Sequence, residues 1–159
     1  MIPEELKQYI GKIDPPHVRE VERGAIRRYA DALGNDNPLY YDEEYASKSR
    51  YGAIIAPPGF FGWSIQSAPS SEGIIGLMTA MINAGFYRIL DGGMSYEFYL
   101  PVRPGDILHY TMKLESVSEE KKTRLGSGHF ITTVSTYWNQ RGEIVGKETR
   151  TLLKFAPAT

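Results

Sequence analysis

The sequence predicts an α+β fold in which short helices come first and a run of antiparallel strands follows, so that a sheet can wrap one buried helix. Three observations carry that expectation. From Gly93 onward the apolar spacing changes from helical to two-residue alternation. The later segments are rich in β-branched and aromatic residues and are separated by turn formers. A proline-led apolar stretch in the middle, Pro57 to Gln66, has a composition suited to burial on all sides.

The first periodic segment is Arg23 to Leu33, where Ala25, Ile26, Tyr29, Ala30 and Leu33 recur at helical spacing. Gly34 is a natural C-terminal stop, and Asn35-Asp36-Asn37-Pro38 forces a tight loop because the residue before proline is pushed to extended geometry. Asp42 before Glu43-Glu44 reads as an N-cap with acids in the first turn of a short second helix. Pro57-Pro58 then opens the expected central helix, followed by a loop from Ser67 to Ser71 around Pro69. Gly73 to Leu90 stays open between a helix and irregular covering structure. Strands are expected at Met94 to Leu100, Ile107 to Val117, His129 to Asn139 and Ile144 to Phe155. Pro101 to Asp106 joins the first two, Gln140-Arg141-Gly142-Glu143 supplies a hairpin turn for the last two, and Ser118 to Ser127 reads as a solvated loop.

With 159 residues the chain is of a size to form one domain over residues 1–159 with one core. A hydrophobic fraction of 42% with 23% charged residues is that of an ordinary globular protein, and a net charge of -1 supplies no basic field for nucleic acid or anionic lipid. Cysteine is absent, which excludes disulfides, thiolate metal sites and cysteine nucleophiles. The N-terminal residues mix charges with apolar groups and do not form a signal peptide, and the longest apolar stretch, Gly73 to Leu90, is broken by Asn83, Gly85 and Arg88. A cytoplasmic protein without a membrane segment is expected. No two of His17, His109 and His129 have metal-ligand spacing, so no metal is expected, and strand alternation makes one of the two strand histidines, His109 and His129, solvent-facing.

Three ordered segments carry a resemblance. Tyr29 to Tyr40, ending Gly34-Asn35-Asp36-Asn37-Pro38-Leu39-Tyr40, resembles the signature loop Gly-Asp-x-Asn-Pro-aliphatic-His of MaoC-like (R)-specific enoyl-CoA hydratases and 3-hydroxyacyl thioester dehydratases. Tyr51 to Phe60 and Phe98 to Leu108 agree with the same family in order and spacing. The resemblance implies a hot-dog fold, a curled antiparallel sheet wrapped around a long central helix, that binds an acyl-CoA or acyl-carrier-protein thioester between two such folds. At least a homodimer or heterodimer and no cofactor are implied with it.

Hydration of a 2-enoyl thioester needs a water held at C3, a base for its proton, an acid for C2, and donors to the thioester oxygen. The family's Asp and His organise that water, and the matching positions here are Asn35 and Tyr40. An amide accepts no proton near neutrality, and a phenol with a pKa of about 10 is a poor base at pH 7. Three readings stay open. The chain is the substrate-binding member of a heteromeric enzyme whose partner supplies Asp and His, as Asn35 to Tyr41 and Ala56-Pro57-Pro58-Gly59 are similar to the substrate-binding subunits of heterodimeric 3-hydroxyacyl-ACP dehydratases; or Asp36 replaces the missing acid; or the chain is a binding module or an enzyme of other chemistry, such as a hot-dog thioesterase. Asn35 and Asn37 also suit plain turn hydrogen bonds, and Tyr40 and Tyr41 plain packing.

Gly59 and Phe60, behind two prolines that lack an N–H, are the candidate oxyanion donors at a helix start. Asn37 and Arg103 are further binding candidates, the arginine for a phosphate of the carrier. Phe60, Phe61, Trp63 and Met78 are candidates for lining an acyl tunnel.

Overall fold

A computed structural model describes residues 4–64 and 72–158. In chain order the elements are α1 (Glu4–Lys7), β1 (His17–Glu20), α2 (Arg23–Ala32), α3 (Glu43–Lys48), β2 (Trp63–Ser64), α4 (Glu72–Asn83), β3 (Arg88–Phe98), β4 (Ile107–Val117), β5 (Lys121–Thr123), β6 (Gly126–Trp138) and β7 (Ile144–Pro157), with a 3-10 turn at Pro38–Tyr40. One antiparallel sheet runs β2-β1-β4-β6-β7-β3, with β5 paired to β6. The sheet is open, and β3 forms one edge.

The alternation that marks β6 in sequence appears as burial: Ile131, Thr133, Ser135 and Tyr137 are buried while the residues between them are half-buried. The inner face carries two apolar clusters. Val21, just after β1, and Ala25, Ile26 and Ala30 of α2 pack onto Leu108, Tyr137 and Val145 at one end. At the other, Leu77 and Met81 of α4 pack with Leu6, Leu114, Val117 and Ile131.

The four expected strands are β3, β4, β6 and β7, and Gln140 to Glu143 makes the β6–β7 turn with Gly142 at φ 76°. α2 and α3 stand where expected, and Asp42 accepts the Tyr45 N–H at 3.0 Å as the cap of α3. Part of the expected loop Ser118 to Ser127 instead folds back as β5, and the short β1 and β2 have too few residues to show a period.

The central helix expected at Pro57 to Gln66 is a correction. Pro57 to Phe61 forms a turn closed by the Phe60 N–H on the Pro57 carbonyl at 3.1 Å, and Trp63–Ser64 is strand β2. Gly59 (φ 88°) and Gly62 (φ 75°) both adopt the left-handed conformation, which ends any right-handed helix between them. The remainder of that segment and the expected Ser67–Ser71 loop lie outside the described residues. A helix does pack on the sheet further along, α4, in the stretch whose spacing left helix and irregular structure both open.

Candidate functional site

The signature segment is built by its own amides. Asn35 Oδ1 accepts the Asn37 N–H at 3.2 Å, and Asn37 Oδ1 accepts the Leu39 N–H at 3.1 Å, capping the 3-10 turn with Pro38 at its start. Tyr41 locks the loop to α2, its one hydroxyl proton shared between Asp31 Oδ1 at 2.8 Å and the Asn35 carbonyl at 2.9 Å. The turn delivers Tyr40 inward, where it is 6% exposed and packed in the first cluster. Burial, with the neighbouring Tyr51 second, raises the Tyr40 phenol above its ordinary range.

Two backbone bonds hold the next segment in place: Ile55 N–H to the Leu39 carbonyl of this turn at 3.3 Å, and Ala56 N–H to the Val102 carbonyl, beyond the end of β3, at 2.7 Å. The loop from Pro57 to Phe61 therefore passes in front of Tyr40, and the end of β3 closes the other side. A cavity of about 450 Å³ lies between them. Asn37, Tyr40, Gly59, Phe60 and Phe61 all line it, so the fold gathers five of the residues singled out in the sequence. Ile55, Phe98, Leu100 and Val102 add apolar wall, and Arg50, exposed, stands at its border with its guanidinium 4.7 Å from the Tyr51 ring centroid.

Other candidates stand elsewhere. Asn35 and the exposed Asp36 border a separate cavity with Asp31, Tyr41 and Asp42. Arg103 lines a third cavity with Arg23 and Pro104, and its Nη2 donates to the Tyr51 carbonyl at 2.7 Å. Met78 packs in the second core cluster and not in this cavity. The Trp63 side chain lies outside the described residues. The expectation that Gly59 and Phe60 donate from a helix start fails with the helix itself, and the Phe60 N–H is already engaged by the Pro57 carbonyl. Of the strand histidines, His109 is exposed and His129 is 1% exposed. Among the described residues no group of three acids and histidines is placed to hold a metal.

The pattern described as the FAS1-like dehydratase domain region matches residues 8–148. The chain belongs to this dehydratase-region family. Its sequence is 34% identical over 140 residues to a protein of Thermomonospora curvata named "Probable enoyl-CoA hydratase alpha subunit", a match covering 83% of this chain and 44% of that protein. It is 31% identical over 140 residues to a "UPF0336 protein" of Streptomyces griseus, with 87% of each covered. In solved structures the fold matches one chain of the ChsH1-ChsH2 complex of Mycobacterium tuberculosis with a TM-score of 0.88 at 23% identity, covering 98% of this chain and 92% of that one. A chain of the HadBC (3R-hydroxyacyl-ACP dehydratase) complex from the same organism matches with a TM-score of 0.64 at 24% identity, covering 91% and 96%. The chain thus joins this dehydratase-region family to a hot-dog fold shared with a solved MaoC-like dehydratase, the fold its signature segments imply.

Within this family frame, sequence reasoning missed Arg50, Tyr51, Phe98 and Tyr99 in the cavity wall. Phe98 was legible as a strand residue and as the start of a family-like segment, not as cavity wall; its place beside the signature turn depends on β3 crossing to the far edge of the sheet. Arg50 follows α3 in a short connection with no motif of its own, so nothing local marked it.

Proposed function

We propose that this chain is the substrate-binding subunit of a MaoC-like enoyl-thioester hydratase or 3-hydroxyacyl-thioester dehydratase, and that a second hot-dog subunit supplies the Asp and His. One observation carries the reading: the cavity beside the signature turn is mostly apolar and aromatic, and among the described residues no carboxylate or imidazole lines it. It can hold an acyl chain, but among its lining side chains none can take a proton from water near neutrality. Its ionisable groups are Tyr40, raised by burial, Tyr51, Tyr99, whose phenol is also raised, chiefly by its hydrogen bond to Glu97, and Arg50.

Support for a partner comes from β3. Every one of its residues is exposed, among the described residues it pairs with β7 alone, and its side chains include Ile89, Leu90, Met94 and Phe98. An open strand edge with that much apolar surface is a liability in a lone chain and a docking edge in a complex. Two of the similar structures are complexes by their own descriptions, ChsH1-ChsH2 and HadBC. Because the chain spans less than half of the Thermomonospora relative, the activity of any larger assembly belongs to this proposal as well.

The test is reconstitution. The chain is combined with a hot-dog subunit bearing an intact Asp and His, and crotonyl-thioester hydration is followed by loss of enoyl absorbance. Replacing the partner's Asp abolishes turnover on this reading, whereas Asp36→Asn in this chain leaves it unchanged. Turnover lost through Asp36→Asn would transfer the acid to this chain. Release of free thiol would make the protein a thioesterase, and tight acyl-thioester binding with no turnover in any combination would make it a binding module.

A further inference from the structure

One lateral row of residues crosses the sheet next to the cavity. Register places His17 opposite Tyr110, Tyr110 opposite Tyr137, Tyr137 opposite Gly146, and Gly146 opposite Phe98, so all five positions share a face. Four carry rings and the fifth carries nothing. The rings stack along the row: His17 on Tyr110 at 4.8 Å, and Tyr110 on Tyr137 at 5.0 Å. At Gly146 the row is continued by a residue from outside the sheet. Phe61 lies 4.2 Å from Tyr137 with the rings 9° from parallel, and 6.1 Å from Phe98 at 24°. Phe61 stands where a side chain at position 146 belongs. A Cβ built on Gly146 falls 2.9 Å from Phe61 Cζ and 3.0 Å from its Cε1, and 2.8 Å from the Glu97 carbonyl oxygen. Gly146 has no φ in the left-handed region, so backbone conformation does not call for glycine there. Space does.

We infer that Gly146 is a positioning residue for the cavity: its missing side chain leaves a slot between β6 and β3, Phe61 drops into it, and the depth of that insertion sets how long an acyl chain the cavity accepts. The inference rests on the acyl-binding reading above. Phe61 is 3% exposed and also lines the cavity, so its ring has the sheet on one side and the ligand space on the other. Nothing soft lies beneath it to yield, because Tyr137 is 1% exposed and backed by Tyr110. A ring lifted from the slot therefore moves into the cavity. The loop that carries it runs close against Glu20 at Gly62, where a Cβ would meet the Glu20 carbonyl oxygen at 2.7 Å, which leaves the backbone little room to shift toward β1.

The experiment is equilibrium binding of non-hydrolysable alkyl-CoA thioethers, from butyl to dodecyl, to the full chain and three variants, with thermal melts alongside. Each methylene kept from apolar contact costs about fourfold in affinity. Phe61→Leu leaves β7 untouched and empties part of the slot; it is expected to tighten the long thioethers by about tenfold while leaving butyl-CoA thioether unchanged. Gly146→Ala is expected to weaken the long thioethers by about tenfold or more, again sparing the short one. Adding Phe61→Leu to Gly146→Ala is expected to restore the long-chain affinity. A length profile unmoved by Phe61→Leu, or a Gly146→Ala defect that Phe61→Leu fails to relieve, overturns the inference, the latter by assigning the defect to the Glu97 carbonyl. Failure of the wild-type chain to bind a thioether of any length removes the acyl-binding reading instead, and this inference falls with it.

Discussion

Asn35 and Asn37 each use a side-chain oxygen to hold a neighbouring backbone N–H, and the two bonds in series shape the turn that presents Tyr40. Removing the second oxygen with Asn37→Ala is expected to cost about 1 kcal/mol in urea unfolding, the usual worth of a cap of this kind. Asn35→Asp keeps the acceptor and hence the turn. It is expected to leave the isolated chain without hydratase activity, since Asn35 borders the cavity of Asp36 and Tyr41 while Tyr40 borders the acyl-sized one. A rate above background in the single variant would show that a carboxylate at this position reaches the substrate after all. Tyr40 gives no substitute base, because burial has moved its phenol away from neutrality, in the direction that keeps it protonated.

At the scale of elements, the strands were readable because β4, β6 and β7 each run for eleven or more positions in segments rich in β-branched and aromatic residues. The helices α2 and α3 were readable from Gly34 and Asp42 at their ends. Pro57 to Gln66 misled because proline followed by apolar residues describes equally well a helix start and a buried turn; only the left-handed Gly59 and Gly62 distinguish them, and glycine in sequence does not reveal its φ. The aromatic row was not legible at all, since it needs the register of five strands and a loop that inserts from elsewhere. In α4, Met81 is fully buried against the sheet, and Met81→Ala is expected to cost about 2 to 5 kcal/mol in chemical unfolding. β3 is expected to behave in the opposite way. Leu90→Lys, at a position 47% exposed, is expected to alter unfolding free energy by less than about 0.5 kcal/mol while abolishing co-purification with a hot-dog partner. A large loss of stability in the lone chain would mean that β3 is buried within the subunit itself.

In the whole molecule, the signature turn, the Pro57–Phe61 loop and the end of β3 border one largely apolar cavity, and β3 carries an exposed apolar edge onward from it. The division of labour we propose is between a subunit that holds the acyl chain and one that moves protons. Its most direct test is the rate at which the purified chain alone hydrates crotonyl-CoA, read as loss of enoyl absorbance between pH 6 and pH 9. The expected rate is indistinguishable from buffer across that range, with turnover appearing only when a hot-dog subunit bearing Asp and His is added. Hydration by the chain alone at the rate of a complete hydratase would contradict it.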